Sequence, residues 1–254
     1  MKAFTKSAVL IASTMWLLQG CAANMAVPVS GEFWQDRKPV VGVALSSVPS
    51  PEVTLRTMYS SGMILPRLLF GPDDGDRDNE EHIMIEADQL HLERVLSASE
   101  IQDLSQAQTL FVERLAAQGF SATMIPEPID LKELPDYKPE TNGYAHKDFR
   151  EVLKGRGLDR LIVLQVRQSE VFCHYTGRTN DFTEVAVAVR GEMVDLATNR
   201  LLWSTLDNES TIRKTVACSC ERPVDKDCIP DELNRLFDDA AAVLVADFFA
   251  NAPK

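Results

Sequence analysis

Cysteine is the residue type in this chain whose chemistry follows most directly from its position. The first, Cys21, comes after two lysines and an apolar run at residues 8–18. A charged start followed by an apolar stretch of about 7–15 residues describes a secretory signal peptide. The run is too short to cross a bilayer, which takes roughly 20 apolar residues. Residues 1–20 are therefore predicted to direct export, so that the mature chain begins at Cys21.

The four remaining cysteines, Cys173, Cys218, Cys220 and Cys228, are predicted to form disulfides, because an even number in an exported protein favours them. A bond between Cys218 and Cys220 would close a very small ring, which disulfide geometry disfavours. We therefore expect Cys173 to bond one member of that pair and Cys228 the other, with the connectivity left open. A meander with turns near 177 and 198 places Cys173 and Cys218 at the same end of the sheet. A bridge from Cys173 would close roughly 45 residues and contribute about 2–4 kcal/mol.

Zinc is the alternative use of the same sulfurs, with Cys218, Cys220 and Cys228 as ligands and either Cys173 or His174 as the fourth. Thiolates suit zinc, but a Cys-x-Cys pair lacks the two-residue spacing of structural zinc sites. The sequence therefore favours disulfides, and no metal or other cofactor is expected.

An acidic run invites a calcium hypothesis, because Asp74, Asp76 and Asp78 alternate as the first ligands of a calcium-binding loop do. However, Asn79 occupies the sixth position, where glycine permits the sharp turn, and Ile85 occupies the twelfth, where glutamate is needed. A solvated acidic loop is the favoured interpretation.

Catalytic motifs do not stand out in the sequence. There is no Gly-x-Ser-x-Gly, no His-Glu-x-x-His and no glycine-rich phosphate loop. Cys173 and His174 are neighbours, so on a strand their side chains would point to opposite faces, which is a poor arrangement for proton transfer. A non-catalytic protein is therefore expected.

The chain is acidic, and removal of residues 1–20, which hold two lysines and no acids, takes the formal charge from −12 to −14. Such a surface argues against nucleic acid as a partner and against electrostatic docking on anionic lipid. A body of this charge needs another means of attachment to a membrane.

Strand and helix patterns predict one α/β domain over residues 37–254, preceded by a tether at 21–36. A buried strand is expected at 40–45, a surface excursion at 50–82 and a helix at 83–96. Capping boxes at Ser97 and Ser99 would begin the next helix, which Gly119 would end. Its inward face would carry apolar residues and one glutamine: Ile101, Leu104, Gln108, Phe111 and Leu115.

Further strands are predicted at 120–125, 161–166, 183–195 and 201 to about 216, with a helix at 146–154 and a terminal helix after 228. The run at 161–166 is apolar throughout, which indicates a central strand covered on both faces. The order predicts a mixed sheet of about five strands, with a parallel core, an antiparallel meander and helices packed on it.

The residues around the first cysteine, Leu18-Gln19-Gly20-Cys21, resemble the lipobox of bacterial lipoproteins. The resemblance implies that the sulfur of Cys21 takes a diacylglycerol, that the signal peptide is cut before it, and that the new amine is acylated, for example with palmitate. Several acyl chains make such anchoring stable. Ala22 stands where an inner-membrane retention signal of this class places Asp, so the resemblance implies the periplasmic face of the outer membrane.

The apolar strand at 161–166, followed by the valine-rich strand and tight turn at 184–204, is similar to the amino-terminal domain of TolB and to the periplasmic domains of CsgG-type lipoproteins. The phrase Met-Val-Asp-Leu-Ala-Thr-Asn-Arg-Leu-Leu-Trp-Ser at 193–204 carries most of this likeness. It implies an α/β fold and a place in the cell envelope. Together with the anchor, the acidic body and the absent catalytic motifs, it favours a non-catalytic protein that binds or assembles protein partners. A subunit of a CsgG-type export pore and an envelope hydrolase are the alternatives, and the oligomeric state is left open.

Overall fold

The computed structural model describes residues 26–57, 89–139, 142–175, 182–205, 211–218 and 228–253. These residues form a mixed α/β structure in which four helices pack on a seven-stranded sheet. In chain order the elements are α1 (Gly31–Gln35), β1 (Val40–Leu45), β2 (Glu52–Thr57), α2 (89–98), α3 (Ser105–Ala117), β3 (Ser121–Met124), β4 (Arg160–Tyr175), β5 (Phe182–Asp195), β6 (Leu201–Ser204), β7 (Thr211–Val216) and α4 (Cys228–Phe248).

The sheet is organised around two long strands, β4 and β5, which pair antiparallel over almost their whole length. The first half of β4 pairs parallel with β1, and β1 pairs parallel with β3. The second half of β4 pairs parallel with β2, beyond a register shift between Val166 and Gln168. On the other side, β5 pairs with β6 near its end and with β7 near its start. The predicted combination of a parallel core and an antiparallel meander is confirmed.

The sheet has seven strands rather than about five for two reasons. Part of the predicted excursion at 50–82 is strand β2, which buries Val53 against the helices. The predicted long strand at 201–216 is instead two strands, β6 and β7, which pair with different parts of β5. Residues 58–88, including the acidic run and its calcium hypothesis, lie outside the described residues.

Helices α2, α3 and α4 cover one face of the sheet, where the largest aromatic side chains meet. Phe111 of α3, Trp203 of β6 and Phe248 of α4 are fully buried, and the ring centroids of Trp203 and Phe248 lie 4.9 Å apart. The short helix α1 adds Phe33, whose ring stacks on Phe120 at 4.7 Å. Burial of such rings dominates the energetics of a core. The terminal helix predicted after 228 is confirmed as α4.

Helix α3 begins at Ser105, later than the capping boxes predict. The hydroxyls of Ser97 and Ser99 instead donate to the carbonyls of Glu93 and Val95, at 2.6 and 2.7 Å, so both serines belong to the end of α2. The predicted inward face is largely confirmed, since Leu104, Gln108, Phe111 and Leu115 are buried and Ile101 packs beside them.

The segment around Phe149 covers the other face of the sheet beside the first half of β4. There Phe149 packs with Leu161, Val163 and Val194. A helix predicted at 146–154 is absent here, and the described backbone makes turns instead. The reason is hydrogen bonding: the His146 carbonyl accepts from the Tyr137 amide at 2.7 Å. Asn199, at φ 61°, donates to the Lys147 carbonyl at 2.9 Å and accepts from the Phe149 amide at 3.0 Å. These groups are therefore committed to non-helical partners.

Much of the segment predicted as a tether, 21–36, is part of the fold. Val27 already pairs antiparallel with Ser204, Val29 is buried, and α1 contributes Phe33 and Trp34 to the core. Apolar residues in this segment are buried against α3 and α4, so residues 27–35 belong to the folded body. Within the residues that the structure describes, no helix is both long enough and apolar enough to cross a membrane.

Candidate functional site

The cysteines fasten the last strand to the last helix. Cys218 follows β7, Cys228 opens α4, and their sulfurs are bonded with the Cα atoms 5.9 Å apart. Cys173, on the second half of β4, is also disulfide-bonded. Cys228 is therefore bonded to Cys218, one of the two partners that the sequence allowed, and Cys173 is not bonded to Cys218. Cys21 and Cys220 lie outside the described residues.

The zinc alternative conflicts with this bonding. Zinc binds the thiolate form of cysteine, and neither sulfur of a disulfide is a thiolate. Cys173, Cys218 and Cys228 are all bonded, so three of the four cysteines of the proposed ligand set are not free to coordinate a metal. Elsewhere in the described ranges, His, Cys, Asp and Glu side chains do not converge in groups of three or more that could hold an ion.

Cys173 and His174 lie on opposite faces of β4, as strand alternation requires. Cys173 is buried in the core beneath the helices, whereas the ring of His174 stacks on Phe182 with centroids 4.2 Å apart. Among the described residues, neither ring nitrogen of His174 has a hydrogen-bond partner. The geometry offers no proton transfer between the histidine and the neighbouring sulfur.

A crevice of about 360 Å³ lies where β1 ends and β4 changes register. Three short segments line it: residues 46–49, 130–132 and 165–167. Crevices outside the carboxyl ends of strands are the usual ligand sites of open α/β sheets. The buried Gln165 donates from Nε2 to Glu192 Oε1 at 2.9 Å, and Glu192 Oε2 lies 3.4 Å from Arg190 Nη2. These contacts offset the negative charge of the buried Glu192, so the three residues have a structural role beside the crevice.

A second depression, of about 880 Å³, runs between the start of α3 and the side of α4. We call it the acidic groove. Its lining is polar except for one isoleucine and comprises Glu100, Ile101, Gln102, Asp103, Ser105, Gln106, Thr109, Asn234 and Asp238. Asn234 holds the two sides together: its Oδ1 accepts from the Gln102 amide at 2.7 Å, and its Nδ2 donates to the Glu100 carbonyl at 3.2 Å.

The shape and lining of the acidic groove indicate what could bind there. Small-molecule sites are concave and mostly apolar, with a few polar groups that orient the ligand. The acidic groove is open and polar, and three of its side chains, Glu100, Asp103 and Asp238, are carboxylates. Such a surface is complementary to lysine or arginine side chains on another protein.

Carboxyl groups with shifted pKa values belong to surface ion pairs. Lys214 Nζ lies 2.6 Å from Glu232 and holds the pKa of that carboxyl below its usual range. The Lys147 ammonium likewise lowers the pKa of Asp136. A strongly perturbed group inside a cleft would indicate an acid or base for catalysis. These shifts have an ordinary cause, a neighbouring cation, and they lie outside both depressions.

Comparisons with known proteins give no family. No protein-family model and no curated protein matches the chain. Among solved structures, it is similar to protein XCC0632 from Xanthomonas campestris, of family DUF330, at 10% identity and a TM-score of 0.35, over 88% of this chain and 90% of the other. It is similar to lipoprotein GNA1162 from Neisseria meningitidis at 12% identity and a TM-score of 0.28, over 81% of this chain and 97% of the other. At these values the likeness assigns neither family nor function.

Whether the sequence reveals a site residue depends on how far that residue lies along the chain from the residues it contacts. The cysteines are recognised by residue type alone. The acidic groove is not, because Gln102 and Asn234, which join its two sides, are 132 positions apart. No local signal marks Asn234, because a polar residue between the buried Leu233 and Leu236 is ordinary on an amphipathic helix.

Proposed function

We propose that this chain is an exported bacterial lipoprotein held by lipid on Cys21. The observation that carries the proposal is the disulfide between Cys218 and Cys228, accompanied by a bonded Cys173. Disulfides persist in oxidising compartments such as the bacterial periplasm and are rare in the cytosol. This supports export, which residues 1–20 predict independently. The lipobox-like residues before Cys21 and the Ala22 that follows then favour the periplasmic face of the outer membrane.

The function proposed for the anchored body is non-catalytic binding of a protein partner through the acidic groove. Complementary charge across an interface steers encounter and gives specificity, so the partner would present a basic segment. The similarity to TolB and CsgG-type domains in residues 193–204 agrees with an assembly role in the envelope. It is also the only ground for the export-pore alternative.

Metabolic labelling with palmitate tests the anchor. The wild-type protein should carry label and sediment with membranes, whereas Cys21→Ser should carry none and be released into the periplasm with its fold intact. Ala22→Asp is the matched variant for sorting, and it should move labelled protein to the inner-membrane fraction of a density gradient. An unlabelled wild-type protein would contradict the proposal.

Crosslinking in intact cells tests the acidic groove. The double variant Glu100→Lys with Asp238→Lys replaces one carboxylate on each side of the groove with an ammonium group. A control of equal charge, Glu113→Lys with Glu133→Lys, places the same change at exposed positions outside the groove. The groove variant should lose a specific adduct that the control keeps. Equal adducts in both variants would show that the partner binds elsewhere. If the chain were instead a hydrolase, neither variant should change its activity.

A further inference from the structure

The chain enters the sheet almost immediately after the proposed lipid site. Val27 is six positions after Cys21. Its amide donates to the Ser204 carbonyl at 3.0 Å, and the Ser204 amide donates to the Val27 carbonyl at 2.9 Å. Because both bonds are made and Val29 is buried, this point is fixed to the body of the protein. We call residues 26–28, which lie along the outer side of β6, the entry edge.

Chain length limits how far the entry edge can lie from the lipid. A fully extended residue spans about 3.5 Å, so six residues reach about 21 Å at most. The width of the sheet is about the same as this reach. From Val27 the strands follow in the order β6, β5, β4, β1 and β3, which makes five steps. At about 4.8 Å for each step, the sheet measures about 24 Å from the entry edge to β3.

The composition of the entry edge also suits a lipid surface. Residues 22–31 carry no charge, and the first charged side chain after Cys21 is Glu32, in a chain whose mature form has a net charge of −14. Ala26 and Pro28 are exposed. Proline has no amide hydrogen, so position 28 leaves no unpaired donor at this edge.

We propose that the entry edge faces the membrane and that β3 is the edge turned away from it. The occupant is a phospholipid surface, and the inference rests on the proposed anchor at Cys21. The short tether and the uncharged segment at residues 22–31 favour the entry edge as the side next to the lipid. Neither feature lies at the opposite edge, β3. There Met124 is 41% exposed and serves as the reference position.

Photocrosslinking to lipid tests this orientation. The mature lipoprotein, with p-benzoylphenylalanine in place of Ala26 or, in a second sample, of Met124, is reconstituted in vesicles of phosphatidylethanolamine and phosphatidylglycerol. Irradiation should give a phospholipid adduct at position 26, detected by mass spectrometry, and none above background at position 124. Equal adducts at the two positions, or an adduct at 26 only to a second copy of the chain, would overturn the proposal.

Two controls separate this inference from the anchor on which it rests. Flotation of the same vesicles reports the anchor: protein that floats without an adduct at 26 refutes the orientation and leaves the anchor standing, whereas protein that does not float refutes both. A Gly-Ser linker of about 20 residues inserted after Asn24 adds an average reach of about 25 Å. It should strongly reduce the adduct at 26, and an undiminished adduct would contradict the short tether as the cause.

Discussion

The fit of Trp203 over Gly191 makes a sharp prediction about stability. A Cβ atom added at Gly191 would overlap the indole ring, meeting Cη2 most closely and lying 2.5 Å from Cζ3 and 3.1 Å from Cζ2. The ring cannot easily move, because Trp203 is fully buried and its Nε1 donates to Asp247 Oδ2 at 2.8 Å. Overpacking of a well-packed core costs about 1–3 kcal/mol, and we expect the upper half of this range.

Alanine also brings a gain, because glycine in a strand interior is about 0.5–1 kcal/mol worse than alanine. Gly191→Ala should therefore lower the free energy of unfolding by about 2 kcal/mol in total, measured by urea denaturation followed by circular dichroism. Gly31→Ala is the matched control. Gly31 is the first residue of α1, and a Cβ atom there would meet nothing within 4 Å. The free energy of unfolding of this control variant should be unchanged or slightly raised.

A double-mutant cycle identifies the indole as the cause. In a Trp203→Leu background the clash is relieved, so Gly191→Ala should cost at least about 1 kcal/mol less than it does in the wild type. An equal cost in both backgrounds would refute the reasoning, as would a Gly191→Ala protein as stable as the wild type.

Three further predictions concern Asn199, the disulfide and one ion pair. Asn199→Ala should lower the free energy of unfolding by about 1–3 kcal/mol in urea denaturation, because it leaves the Phe149 amide without its acceptor. Cys218→Ser with Cys228→Ser should cost about 2–3 kcal/mol, since the bond closes a loop of only ten residues, and a reductant should destabilise the wild type by more than this variant, which keeps the bond at Cys173. The lowered pKa of Glu232 means that its ion pair stabilises the folded state above the usual glutamate range and that this contribution is lost as pH falls through the lowered pKa. The difference in unfolding midpoint between wild type and Glu232→Gln should therefore shrink in acid, and a difference independent of pH would contradict the assignment.

Much of the sheet could be predicted because its central strands bury both faces. The apolar run at 161–166 and the alternating valines at 185, 187 and 189 are signals that depend only on neighbouring residues. The strand predicted at 161–166 extends no further because the residues that follow it, from Arg167 to Glu170, are all polar. The second half of β4 becomes a strand by pairing with β2 and β5 on either side.

The failures arise from competing hydrogen-bond partners, one set in the preceding helical turn and one distant in sequence. Ser97 and Ser99 fit a capping box, but their hydroxyls find the carbonyls of the preceding helical turn first. Residues 146–154 have a helical pattern, yet Asn199, 50 positions beyond Phe149, takes the backbone groups that a helix would use. Local propensity is a weak prior that tertiary context overrides.

The candidate site was predictable only where residue type was sufficient. Cysteine chemistry in an exported chain indicates disulfides, but which pairs form depends on where β7 ends and α4 begins. The acidic groove required the packing of α3 against α4, which no periodicity in either helix encodes.

The long hairpin of β4 and β5 also has a consequence for how this chain folds. Its pairing starts at His174 with Phe182, only eight positions apart, and runs outward to Arg160 with Asp195. By contrast, the pair of Val41 with Arg160 joins residues 119 positions apart. Closing a long loop costs entropy before its contacts form, so local pairings are made first. The hairpin is therefore a template built from the later part of the chain, onto which β1, β2 and the entry edge add last. For a protein attached at its other end, the segment nearest the membrane would be the final one to find its place.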